Sequence, residues 1–174
     1  LGSVQRPGDE TLAEALRWLD ARDQASPFFL WLHLYDPHDP YAPPEPWASQ
    51  HPGRPYRGEV AWTDSLIGEL RAALEARGLL ERSLLVLTAD HGEGLGDHGE
   101  RFHGFFVYDT TVRVPLILRL PGGARAGTVV GVPVSHVDLL PTILDAVGRP
   151  GPPAAQGTSL LLAVAGGELA AGRE

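Results

Sequence analysis

The run Leu84-Leu85-Val86-Leu87 and the stretch after it, Thr88-Ala89-Asp90-His91-Gly92-Glu93-Gly94-Leu95-Gly96-Asp97-His98-Gly99, constrain this chain most. Four apolar residues in succession read as a buried strand. A strand that ends in Asp-His and enters a glycine-rich loop sets a carboxylate and an imidazole at the C-terminal edge of a sheet. Open α/β sheets build their ligand sites at that edge. Carboxylate oxygen and imidazole nitrogen both suit a divalent cation, so Asp90 and His91 are candidate metal ligands.

The rest of the chain supplies the elements such a sheet needs. Leu12, Leu16 and Leu19 are spaced for one helix face, with Asp9 placed to cap that helix. Residues 28–34, Phe-Phe-Leu-Trp-Leu-His-Leu, predict a strand covered on both faces, with His33 a satisfied core histidine. From Asp36 to Pro55 the chain holds seven prolines and no periodicity, which marks a long loop. Residues 56–77 read as a helix with the stripe Val60, Ile67, Leu70 and Leu74, stopped by Gly78. Residues 112–118 predict a strand with Pro115 at an edge or bulge, and 129–134 a short fourth strand. Residues 138–148 form a helix with Asp138 near its start and Gly148 after its end, and from Arg149 the Gly, Ala and Pro content predicts weak order. Long crossovers between apolar strands imply an α/β fold, a mostly parallel sheet flanked by helices.

Composition narrows the function. A formal net charge of −8 argues against a nucleic-acid partner, and no apolar run reaches the length of a membrane span. There is no cysteine, so neither a disulfide nor a thiolate metal site is available. There is no lysine either, so any cationic role falls to Arg or protonated His. The histidines gather in three places: at 91, at 98 and 103 in the glycine-rich loop, and around His38 in Tyr35-Asp36-Pro37-His38-Asp39-Pro40-Tyr41. Glu93, Asp97 and His98 read as loop-organising, whereas His51 and His136 carry no signal.

Taken in order, several stretches resemble the C-terminal part of the catalytic domain of the sulfatase family, within the alkaline phosphatase-like superfamily. They are residues 27–41, Tyr56-Arg57-Gly58-Glu59-Val60 with Asp64 and Ile67-Gly68, residues 84–93, residues 103–116, and Val137-Asp138-Leu139-Leu140-Pro141-Thr142. The resemblance implies that residues 1–161 are the C-terminal portion of a sulfatase-like α/β domain and 162–174 a Gly/Ala-rich tail. It further implies metal-dependent hydrolysis of sulfate, phosphate or phosphonate esters, with a small molecule or glycan as substrate and no nucleic acid. Periplasmic or extracellular placement follows from the same resemblance.

Site roles follow position by position. Asp90 and His91 match the family's second pair of metal ligands. Many sulfatases carry Asp-Asn there and hold calcium. Asp-His is similar to the phosphonate and phosphodiester hydrolase branch, and an imidazole ligand moves the preference among Ca²⁺, Mn²⁺ and Zn²⁺ toward the latter two. His38 matches the histidine that contacts the ester oxygen and assists the leaving group, and His103 falls where relatives place a Lys or His on the transferred group. The family's nucleophile, a formylglycine or a Ser/Thr, lies in a motif N-terminal to everything matched here and is absent from these 174 residues. The implied chain supplies metal ligands and histidines but not the nucleophile, and is expected to be inactive alone. Two alternatives stay open: a phosphoethanolamine- or phosphoglycerol-type transferase, and a non-catalytic fragment of the fold.

Overall fold

A computed structural model describes residues 6–169. Residues 1–5 of the expected domain and 170–174 of the expected tail lie outside the described residues. The chain divides into two compact units between Leu80 and Glu81.

In the first unit, helix α1 (Gly8–Ala21) buries Leu12 and Leu19, as the leucine spacing requires, with Leu16 packed beside them. Its cap differs from the expectation. Asp9 lies inside the first turn, Pro7 holds the cap position without a side-chain bond, and the Gly8 N–H donates to Asp36 Oδ2 at 3.1 Å. A carboxylate 28 residues away thus satisfies an amide that the helix leaves unpaired. Ala at position 8 would set its Cβ 2.7 Å from Leu66 Cδ1 and 3.2 Å from that same carboxylate, so the Leu66 side chain would have to shift.

Residues 28–34 alternate as a strand does, but they join no ladder among the described residues. Leu32 and Leu34 pack on the core of Leu12, Trp62 and Leu66. Phe29 and Trp31 are 69% and 77% exposed, and His33 is exposed beside them. Only one face of this segment is covered, so the expectation of two buried faces and a core His33 is corrected. The proline-rich stretch folds a short helix, α2 (Trp47–Gln50), whose Trp47 also reaches the core.

Helix α3 (Pro55–Ala76) starts with Pro at its first position, where the missing N–H costs nothing. It ends at Gly78, φ 64°, with Leu79 N–H bonded to Leu74 O and Gly78 N–H to Glu75 O, both at 2.9 Å. That pair of bonds is a Schellman stop, as the glycine predicts. The buried face is shifted from the expected stripe. It carries Gly58, Glu59, Trp62, Leu66 and Leu74, whereas Val60 is 44% exposed.

In the second unit, strand β1 (Leu85–Thr88) pairs with β2 (Leu116–Arg119), Leu85 opposite Arg119 and Thr88 opposite Leu116. The pairing is antiparallel. Between the strands lie the glycine-rich loop and a single short helix, α4 (Asp109–Val112). A parallel return needs a crossover that carries the chain back to the first strand's start, and no long helix here does so. The expected strand at 112–118 is shortened because Val112 closes α4 and Pro115, lacking an N–H, stays outside the ladder. Residues 129–134 form no strand, and Val129 is 91% exposed.

A single turn at His136–Asp138 leads into α5 (Leu139–Ala146). The turn is closed by a capping box between Ser135 and Asp138. Asp138 is fully buried and also takes the Thr158 N–H at 2.9 Å, while Thr142 Oγ1 takes the Leu160 N–H at 2.9 Å. These bonds order a region expected to be weakly ordered. They dock α6 (Leu161–Val164), preceded by Leu160 at 3% exposure.

Candidate functional site

The end of β1 sets the geometry of the second unit's polar cluster. Immediately after the strand, the chain must turn into a loop that returns close to itself. Gly92 N–H donates to Thr111 O at 2.8 Å, and a side chain at 92 would drive its Cβ into the Thr110 carbonyl. Gly94 N–H donates to Phe102 O at 3.2 Å, and a Cβ there would meet the Glu100 and Phe102 carbonyls. The glycines are therefore needed for close backbone approach, and that approach folds 91–103 back on itself.

Three of the four sequence-predicted site residues come together on this loop. His91 Nδ1–H donates to Gly92 O at 2.8 Å. A carbonyl only accepts, so Nδ1 carries the proton and the lone pair of neutral His91 sits on Nε2. That nitrogen lies 3.8 Å from Asp90 Oδ2, with the Asp90 side chain 70% exposed. One cation at about 2.0–2.2 Å from each atom spans such a gap. The donor set fits part of a divalent-metal site. It does not complete one: among the described residues no group of three or more His, Cys, Asp or Glu side chains converges for a metal.

His103 stacks on His91, ring centroids 3.9 Å apart and 29° between planes. Its Nδ1–H points at Glu93, 3.3 Å from Oε1 and 3.4 Å from Oε2. The Glu93 side chain is only 5% exposed and its Oε1 also takes the Gly94 N–H. A buried carboxylate behind an imidazole fixes the ring's direction. Sequence reasoning placed Glu93 as loop-organising; its pairing with His103 is the missed feature, and its partner lies ten residues away. His98 is loop-organising as expected: it adopts φ 50°, stacks on Tyr108 at 4.2 Å and meets Asp97 at 3.2 Å.

His38 belongs to the first unit. Its Nδ1–H donates to Asp39 O at 2.8 Å, and the Tyr35 ring lies 4.4 Å away at 37°. This tautomer leaves the lone pair of a neutral His38 on Nε2. The main-chain N–H of His38 donates to Glu59 Oε2 at 3.1 Å. Burial holds the carboxyls of Glu59 and Asp36 above the ordinary range, against the lowering effect of the main-chain N–H groups they accept. Sequence reading missed both acids, although Glu59 stands at the helical spacing of Trp62 and Leu66.

Comparison with known proteins places the fold and the family. Arylsulfatase K from Bos taurus is 39% identical over 106 residues, covering 61% of this chain and 19% of that protein. N-acetylglucosamine-6-O-sulfatase from Bacteroides thetaiotaomicron is 39% identical over 114 residues, covering 66% of this chain and 20% of the relative. The chain therefore spans about a fifth of the length of these curated relatives. Among solved structures, the phosphonate monoester hydrolase from Silicibacter pomeroyi superposes with a TM-score of 0.79 at 28% identity, covering 95% of this chain and 42% of that one. The phosphonate monoester hydrolase of Agrobacterium radiobacter reaches 0.82 at 24% identity, covering 97% and 45%. These likenesses show the alkaline phosphatase-like α/β fold. The family described as Sulfatase matches residues 6–149, which include every element from α1 to α5, and the chain belongs to the sulfatase family.

Proposed function

We propose that this chain supplies one part of the active site of a metal-dependent ester hydrolase. Asp90 and His91 are two ligands of a single divalent cation, Ca²⁺, Mn²⁺ or Zn²⁺, with the imidazole favouring the latter two. The observation that carries this reading is the pair itself. Asp90 Oδ2 and the lone-pair nitrogen of His91 stand 3.8 Å apart at the end of β1, and the Gly92 carbonyl holds the imidazole in the ligating tautomer. A divalent cation supplies Lewis acidity toward an ester oxygen when bound.

The chain's own residues then take distinct tasks. His103, held by Glu93, presents positive charge to the non-bridging oxygens as negative charge gathers on them. His38 gives its Nε2 proton to the departing alcohol oxygen as the ester bond breaks, a contribution of about 10²–10⁴ in rate. The nucleophile, a formylglycine or a Ser/Thr hydroxyl, comes from outside these residues. Substrates are small-molecule or glycan sulfate esters, in keeping with relatives named for arylsulfatase and N-acetylglucosamine-6-O-sulfatase activity. Phosphonate or phosphate esters are a second class, favoured by the resemblance to a phosphonate monoester hydrolase.

Calorimetric titration of Mn²⁺, Zn²⁺ and Ca²⁺ into the chain tests the metal reading. Asp90→Asn and His91→Ala should each weaken binding by about tenfold or more, the size of effect seen when metal sites lose supporting groups. Unchanged affinity in both variants would overturn the assignment.

A further inference from the structure

We propose that Glu59 is a positioning residue for His38: from helix α3 it grips the main chain at the histidine and four residues beyond it, and so sets where the imidazole stands. The inference rests on the reading of His38 as the acid toward the leaving group. Glu59 is 2% exposed, and both carboxylate oxygens accept main-chain N–H groups: Oε2 from His38 at 3.1 Å and Oε1 from Ala42 at 2.6 Å. One helical turn on, the Thr63 hydroxyl donates to Asp36 O at 3.2 Å. Helix α3 therefore holds the segment at residues 36, 38 and 42. The helix has also made room for it. At Gly58 a Cβ would lie 2.7 Å from Pro43 Cγ, so glycine beside Glu59 lets the proline-rich segment seat directly on the helix.

The chemistry of the position points the same way. Glu59 occupies the buried face that also carries Trp62 and Leu66, and no salt bridge reaches it among the described residues. A buried carboxylate without a cation is costly, and a packed apolar side chain would serve stability better. What the carboxylate does that an apolar group cannot is accept two N–H groups four residues apart. Those contacts bracket the Asp39 carbonyl that takes the His38 Nδ1–H at 2.8 Å. Glu59 thus fixes both the main chain from which the ring springs and the acceptor that selects its tautomer.

The test uses the full-length protein and two sulfate esters, one with a good leaving group (p-nitrophenyl) and one with a poor one (an alkyl alcohol). Glu59→Gln keeps the shape but sets an amide NH₂ against one of the two N–H donors. It should lower kcat for the poor leaving group by about 10- to 100-fold, the cost of a displaced catalytic group, with KM little changed and a smaller loss on the good one. In a His38→Ala background the same substitution should add no leaving-group-dependent loss. Glu59→Asp, which keeps the charge but reaches one donor, should fall between. Equal losses on both esters in His38→Ala would overturn the acid reading of His38 itself. A leaving-group-dependent loss in His38→Ala combined with equal losses on both esters in Glu59→Gln would overturn the positioning role alone. If Glu59→Gln does not fold, Glu59→Asp is read by the same criteria; failure of both to fold would assign Glu59 to the fold and overturn the proposal.

Discussion

The carboxylate of Asp36 takes the Gly8 N–H at 3.1 Å, and its own carbonyl takes the Thr63 hydroxyl at 3.2 Å. One residue therefore caps α1 and anchors the segment before His38. Burial raises its pKa most, with Asp9 adding to the rise, while the Gly8 N–H and His38 pull the other way. The sign of the pH dependence follows. A carboxyl whose folded pKa lies above its unfolded value of about 3.9 gives its full contribution below that value and loses it as pH rises through the folded pKa. Asp36→Asn should therefore cost more at pH 4 than at pH 7, read from urea unfolding at the two values. A cost that grows toward pH 7 would contradict this. At this scale Asp90, His91, His103 and His38 stand out as candidates, because chemistry-bearing types in a glycine-rich run and between prolines are visible locally. Asp36, Glu59 and Glu93 were not legible as partners. A carboxylate in a loop or helix looks alike whether it faces water, an imidazole 10 residues away or a main chain 21 or 28 residues away.

Among the elements, α3 is the most informative case. Its limits were close to the expected 56–77, because Pro at the start and Gly78 at the stop are local signals. Its buried face was not, because the stripe was drawn through Val60, and a polar Glu59 hid the true one. Leu66, 3% exposed in the core with Leu12 and Trp62, should cost about 2–5 kcal/mol on truncation to Ala. Val60→Ala should stay within about 0.5 kcal/mol, as exposed positions do. Urea midpoints at a common slope measure both, and a Val60 effect as large as that of Leu66 would mean that α3 buries a different face. The strands tell a similar story. Residues 84–88 were readable as a strand from their apolar run, but the partner and direction of β1 were not. The same pattern serves a parallel or an antiparallel neighbour, and the length and content of the connection decide between them.

On the scale of the molecule, the proposal gives the 174 residues metal-ligating and charge-stabilising groups and brings the nucleophile from outside them. The chain should bind a divalent cation and turn over neither p-nitrophenyl sulfate nor p-nitrophenyl phosphate above the buffer rate in a metal-supplemented assay. Robust turnover would refute the reading that the nucleophile comes from elsewhere. The amino-acid order alone determined the approximate limits of the three longer helices, the glycine stops, the candidate site residues and the family. Each of these is written in contiguous residues, by period, cap or motif. Tertiary structure alone decided the antiparallel ladder, the single covered face of residues 28–34, and the carboxylates behind His38 and His103. Those features depend on which distant segments exclude water together, and no local pattern of side chains carries that information.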